Sequence, residues 1–297
     1  MAEHARLTAL VDAARAKVAG GTPPRVGLVY PCDDLARDAA QAMFEAGIAQ
    51  PVLIGPHARI GDTPFEVVDT ADNGRAAADA AVAMARRGEL AALMKGSLHT
   101  DELMSAVVDR DKGLRGQRRI SHVFLFDLPR YPKLLALADC VVNITPDLKT
   151  KQHIVANALD LLRTLGLQRP KVAIVAAMET VNPAVAATLD AQALVQAAQA
   201  GEFGNALVEG PFGFDNAFSA EAARIKGMTS AVAGDADLML MPDLNAGNML
   251  YKSFNYVGGG DCAGLVLGAT VPIVLTSRAD SLAARLASVA LAVLAQR

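Results

Sequence analysis

Three stretches of this chain join a short aliphatic run to a polar turn and then to a helix-like pattern. Near the end, Pro272-Ile-Val-Leu-Thr276 runs into Ser277-Arg278-Ala-Asp-Ser281 and an apolar helical stretch. Backbone N–H groups and the helix dipole at such a junction favour an anion. Arg278 adds a planar fork of donors suited to phosphate, and Ser277 adds a hydroxyl. Helix capping by Ser281, with Arg278 in solvent, explains the same residues without a ligand. In Met241-Pro-Asp-Leu-Asn-Ala-Gly-Asn-Met-Leu-Tyr-Lys252 a strand gives way to a helix near Asn245, and Asp243 and Asn245 are natural caps. Lys252 falls about two turns after Asn245, on the same helix face, so both can address one anionic ligand. The third stretch is Leu93-Met-Lys-Gly-Ser-Leu-His-Thr100, with Lys95 as a point charge and His99 as a candidate base. A lone histidine without a visible partner is more often structural.

The wording of these turns also excludes chemistry. Neither G-x-x-x-x-G-K-[ST] nor G-x-G-x-x-G occurs, so neither an ordinary P-loop nor a dinucleotide fingerprint is present. Asp215, Asp235, Asp237 and Asp243 could hold Mg²⁺ if the fold clustered them, but turns and helix caps are the favoured account of them. The basic stretch 110–119 reads as a solvated loop or as a dock for a phosphorylated ligand such as a nucleotide tail.

What positions these turns is an aliphatic α/β scaffold. The 297 residues are 52% hydrophobic but include only nine Phe, four Tyr and no Trp, so Ala, Val, Leu, Ile and Met must build the core. Such a core suits parallel strands covered by helices on both faces. Strands are expected at 26–30, 51–54, 65–68, 90–94, 121–126, 140–144, 171–176, 238–241 and 273–275. Helices are expected at 33–46, 73–87, 100–109, 149–165, 183–200, 216–227, 245–254 and 281–296. The alternation predicts a doubly wound, mostly parallel sheet. The basic stretch 110–119 and Gly258-Gly-Gly260 are candidate boundaries, giving a discontinuous first domain, 1–125 plus 270–297, and a second, 126–269. A cleft between two α/β domains is then the expected binding site.

Net charge is −3, which gives no pull toward nucleic acid or anionic membrane. Cys32, Cys140 and Cys262 are odd in number and far apart, without C-x-x-C, so a reducing, cytoplasmic setting is expected. The N-terminus lacks the basic and apolar regions of a signal peptide. The longest apolar run, 286–295, has ten residues, well short of the roughly 18 a bilayer needs.

Taken in order, several segments resemble the phosphate acetyltransferase/phosphotransbutyrylase family. They are Met94-Lys-Gly-Ser-Leu-His-Thr100, Arg118-Arg-Ile-Ser-His122, Asn143-Ile-Thr-Pro-Asp-Leu148, Glu209-Gly-Pro211 with Asp215, Lys226, Ala233-Gly-Asp-Ala-Asp237, Pro242-Asp-Leu-Asn-Ala-Gly-Asn248, Tyr251-Lys252 and Thr276-Ser-Arg-Ala-Asp280. The likeness is strong over about residues 90–297 and weak before. It implies reversible transfer of a short acyl group: acyl-CoA plus phosphate gives acyl phosphate plus CoA. It also implies two three-layer α/β domains around a cleft, as in isocitrate/isopropylmalate dehydrogenase-like enzymes, a homodimer, no metal, and no tightly held cofactor, CoA being a substrate. By this resemblance Ser277 and Arg278 are catalytic, and Lys95, His99, Thr100, Asn245, Asn248 and Lys252 bind substrate.

Two departures touch acyl choice and the base. Acetyl-selective members carry an Asp about seven residues after the Ser, read as the base for CoA; here that position is Ala284. They also carry an Arg on the helix after the His-Ser/Thr motif, where this chain reads Leu103-Met104-Ser105. Asp280 and His99 are the remaining candidates for the base. A metal- and NAD-dependent decarboxylating dehydrogenase of the same fold is the competing enzyme, and a non-catalytic acyl-CoA binding protein the competing class.

Overall fold

The computed structural model describes residues 4–275 and 280–296. The fold is mixed α/β, and the chain divides into two compact units: residues 1–120 with 262–297, and residues 121–261.

The first unit opens with α1 (Ala5–Val18), a helix outside the expected set. Its buried Leu7, Leu10, Val11 and Ala14 recur at helical spacing, so the signal is present but short. There follow β1 (Arg25–Val29), α2 (Asp34–Glu45), β2 (Gln50–Gly55), α3 (His57–Ile60), β3 (Glu66–Asp69), α4 (Gly74–Arg86), β4 (Ala92–Lys95) and α5 (Thr100–Val107). Asp33 and Asn73 cap α2 and α4, accepting the N–H of Ala36 and Ala76.

The second unit contains β5 (Ser121–Asp127), β6 (Leu135–Ala138), α6 (Leu148–Thr164), β7 (Lys171–Val175), α7 (Ala186–Gln199), β8 (Leu207–Phe212), α8 (Phe214–Phe218), α9 (Ala220–Ile225), β9 (Leu238–Leu240) and α10 (Leu244–Tyr256). Its strand order is β5-β6-β9-β7-β8, parallel except for the antiparallel β5/β6 pair. The chain returns to the first unit through β10 (Asp261–Leu267), β11 (Ile273–Val274) and α11 (Leu282–Ala295). That unit's order is β3-β2-β1-β4-β11-β10, again parallel except for the last pair. α11 packs on α1, α2 and β11. Lys17 donates to the carbonyls of Val293, Leu294 and Gln296 at 3.1, 3.0 and 2.6 Å, which meets the exposed C-terminal end of α11. No described helix is long and apolar enough to cross a membrane.

Four expectations need correction. Residues 140–144 are not a strand; the strand is β6, immediately before. The Asp139 carboxylate accepts the N–H groups of Val141 and Val142 at 2.9 and 3.0 Å, diverting the donors that a ladder would use. β8 escapes a pattern reading because Gly210-Pro211 interrupts it; it is an edge strand, where proline is tolerated. β10 escapes it because Asp261, Ala263 and Gly264 hide its apolar alternation. The expected helix 216–227 is two short helices, broken where Ser219 caps α9 by accepting from the Ala222 N–H at 3.2 Å.

Candidate active site

In the first unit the strand order reverses between β1 and β4. Outside the carboxyl ends of the strands at such a reversal, open α/β sheets hold their ligands. Residues 30–33 leave β1 there, and residues 96–99 leave β4. Lys95 closes β4 with only 8% of its surface exposed, and its ammonium donates to the Gly96 and Leu98 carbonyls at 3.1 and 3.2 Å. Gly96 is required: a β-carbon there would stand 2.6 Å from the Val29 oxygen and 2.7 Å from the Tyr30 oxygen. His99 and Thr100 are exposed at the start of α5, and the Glu102 carboxylate accepts the His99 N–H at 2.8 Å. β11 runs parallel to β4, with Val274 opposite Met94, so both strands finish at the same edge. Ser277 and Arg278 follow in sequence and lie outside the described residues. Beyond them, Ser281 caps α11 by accepting from Ala284, and Ala284 itself is buried.

In the second unit Asp243 caps α10, accepting the Ala246 N–H at 3.0 Å. Gly247 lets α10 approach the Asp139–Cys140 turn; a β-carbon would come within 2.6 Å of the Asp139 oxygen. Asn248 reinforces this contact by donating to the Cys140 carbonyl at 3.1 Å. Asn245 and Lys252 are exposed on the same helix. Thus Lys95, His99 and Thr100 share one loop, and Asn245, Asn248 and Lys252 share one helix.

The four aspartates do not cluster. β7, β8 and β9 run parallel, so Asp215, after β8, lies at the opposite end of the strands from Asp235 and Asp237, before β9. Asp215 meets Lys226 at 3.0 Å, and Lys226 also donates to Glu179 at 2.6 Å. These contacts hold both carboxyls below their ordinary range. Asp235 and Asp237 pair with Lys133 at 2.8 and 2.6 Å, and Asp235 also with Lys171. Among the described residues no group of three or more His, Cys, Asp or Glu could hold a metal ion. The 110–119 stretch is an ordered loop: Arg115 donates to the Val108 carbonyl at 2.6 Å, and the Gly116 N–H to Gly268 at 3.1 Å.

Two features lie outside the expected site set. His122 is fully buried beside Phe124, with neither ring nitrogen hydrogen-bonded among the described residues, and burial pushes its pKa down to about 4. Tyr30 carries a left-handed backbone, φ 56°, and its side chain joins Arg59 and Asp72. His122 closes the Arg118-Arg-Ile-Ser-His122 segment, but nothing in that segment signals its burial; the Tyr30 cluster joins loops far apart in sequence.

Comparison with known proteins now bears on this geometry. Residues 69–293 match the family described as phosphate acetyl/butaryl transferase. The chain belongs to this family. It is 46% identical to a phosphate acetyltransferase of Rhizobium meliloti, over 99% of this chain and 94% of that protein. It is 35% identical to a phosphate butyryltransferase of Clostridium acetobutylicum, over 94% and 95%. Among solved structures it resembles a branched-chain phosphotransacylase from Enterococcus faecalis V583, with a TM-score of 0.83 and 29% identity, over 92% of this chain and 98% of that one. A member of the phosphate acetyl/butaryl transferase family is an acyltransferase, and so is this protein.

Proposed function

We propose that this acyltransferase moves a short acyl group reversibly between CoA and phosphate. The observation that carries the reading is the near-full-length likeness to both acetyl and butyryl enzymes. Starting from acyl phosphate, the CoA thiolate attacks the acyl carbon, and the carbonyl oxygen takes up the charge. Collapse of that adduct breaks the bond to the phosphate oxygen and releases phosphate. Holding both substrates together replaces a covalent acyl-enzyme, because proximity supplies much of the acceleration. Arg278 grips the phosphoryl group as a two-pronged donor and Ser277 donates to the developing oxyanion. Lys95 adds positive charge at the same edge, supported by the common end of β4 and β11. His99 and Thr100 line that loop, and Asn245, Asn248 and Lys252 contact the second substrate. Neither metal nor tightly bound cofactor takes part.

The two compact units serve as isocitrate/isopropylmalate dehydrogenase-like domains, a discontinuous first and a continuous second, divided near residues 120 and 261. Helix packing supports a layered first domain: α1, α2 and α11 form one group, α4 and α5 another. Among the described residues no disulfide joins Cys32, Cys140 or Cys262, which fits the cytoplasm. Exposed Met249, Tyr256 and Val257 on and after α10 offer a face to a second copy in a homodimer. The deciding assay is phosphate-dependent CoA release from acetyl-, propionyl- and butyryl-CoA, with and without EDTA. Release insensitive to EDTA is expected; no release with any chain length rejects the function.

A further inference from the structure

We infer that Tyr30 is a positioning residue, whose side-chain clasp with Arg59 and Asp72 sets the loop between Lys95 and His99. The inference rests on reading that loop as part of the substrate site. Tyr30 is the first residue beyond β1 and adopts φ 56°, a conformation rare for a bulky side chain. Such a backbone persists only where its surroundings enforce it. Here the enforcement is visible. The phenol donates to Asp72 Oδ1 at 2.6 Å, and Arg59 Nη1 donates to the phenolic oxygen at 2.7 Å and to Asp72 at 3.3 Å. The guanidinium carbon also lies 5.5 Å from the ring centroid. Arg59 belongs to α3, after β2, and Asp72 to the turn after β3, so three strand ends are tied together.

The left-handed turn aims the Tyr30 backbone at the fourth strand end. Its carbonyl accepts the Ser97 N–H at 2.9 Å and the Cys32 N–H at 3.0 Å. The Cys32 N–H also reaches the Ser97 hydroxyl oxygen at 3.0 Å, and the Gly96 N–H bonds the Val29 carbonyl at 2.9 Å. Residues 96 and 97 therefore hang from the β1 end, between Lys95 and His99. If the phenol loses its partners, the turn relaxes toward ordinary φ and the Tyr30 carbonyl swings away from Ser97. Lys95 stays in its strand, but the loop it donates to shifts.

Tyr30→Phe keeps the ring and removes the hydroxyl; Asp72→Asn, at the exposed end of the clasp, is the second variant. For Tyr30→Phe we expect KM for phosphate to rise about ten-fold, with kcat within two-fold and an unchanged melting temperature. Asp72→Asn is expected to reproduce part of that rise. A cycle of Tyr30→Phe with Ser97→Ala should be non-additive, since one loosens the clasp and the other removes the hydroxyl that accepts the Cys32 N–H in the same turn. A fall in melting temperature with unaltered KM, in whichever variant folds, would make the clasp merely structural and overturn the inference. Lys95→Met separates the two levels. Wild-type kinetics in Lys95→Met reject the loop as part of the site, whereas a crippled Lys95→Met beside wild-type Tyr30→Phe and Asp72→Asn rejects the clasp alone.

Discussion

In both units side-chain clusters close loops at the carboxyl ends of the parallel strands, but the clusters differ in charge. In the first unit, Arg59 and Asp72 cancel, and the third member is a neutral phenol. In the second, Lys226 faces two carboxylates, Glu179 and Asp215, leaving one negative charge, with Asn216 also donating to Glu179. A phosphate approaching the Lys226 cluster meets net repulsion, whereas the Tyr30 cluster adds none and has Lys95 nearby. The same kind of loop fastening thus leaves a net negative charge at one cluster and none at the other. Position at the end of a parallel strand does not by itself make an anion site; the charge left after local pairing decides.

The interiors contrast too, and there the largest effect is expected. Lys95 is a nearly buried base whose ammonium has carbonyl partners, while His122 is a buried base whose ring has none. Its folded pKa of about 4 lies below the ordinary 6.5, so between those values the unfolded chain binds the extra proton. Stability is therefore full above about pH 6.5 and falls as pH drops toward 4, by about 3 kcal/mol in all. Hydrogen exchange should show β5 and β6 opening before β1 and β4 as pH falls, and His122→Phe should flatten that profile. Equal acid sensitivity in both units would break the contrast.

Arg278 tests where the phosphate sits. Losing one charge-assisted bond to phosphate costs about 1.5–3 kcal/mol, so Arg278→Gln should lower turnover roughly 10- to 100-fold. Arg278→Lys should also be impaired, less severely, because an ammonium cannot form the fork. Steady-state kinetics with acyl phosphate, controlled by thermal melts, decide this; wild-type rates in Arg278→Gln would move the phosphate to Lys95 or the 110–119 loop.

Two glycines sharpen the packing side. Gly96→Ala and Gly247→Ala each place a β-carbon 2.6 Å from a backbone oxygen, and such overpacking costs typically 1–3 kcal/mol. Both variants should melt earlier, but only Gly96→Ala should also raise KM for phosphate in proportion. The smallest effect belongs to Lys226→Met. An exposed ion pair is worth up to about 1 kcal/mol, so its melt should barely move, and phosphate KM should stay within two-fold. A large KM increase there would place phosphate at the second unit's edge.

The order of aliphatic runs and amphipathic stretches was readable because strand and helix periods are local. So were the strand–turn–helix junctions, and the capping residues Asp243 and Ser281 stand where the sequence suggests. Residues 140–144 misled because an isolated apolar run does not reveal that one carboxylate, Asp139, will claim its backbone donors. β8 stayed hidden because tolerance of Pro211 depends on which strand lies at the sheet edge. The sequence by itself determined the family and chemistry, through motifs whose order survives without coordinates. Only the tertiary structure decided that Asp215 is kept at the opposite strand ends from Asp235 and Asp237, that the His122 ring is buried with no hydrogen bond among the described residues, and that Tyr30 meets Arg59 and Asp72. Those outcomes depend on strand order, which brings together loops that lie tens of residues apart in the chain.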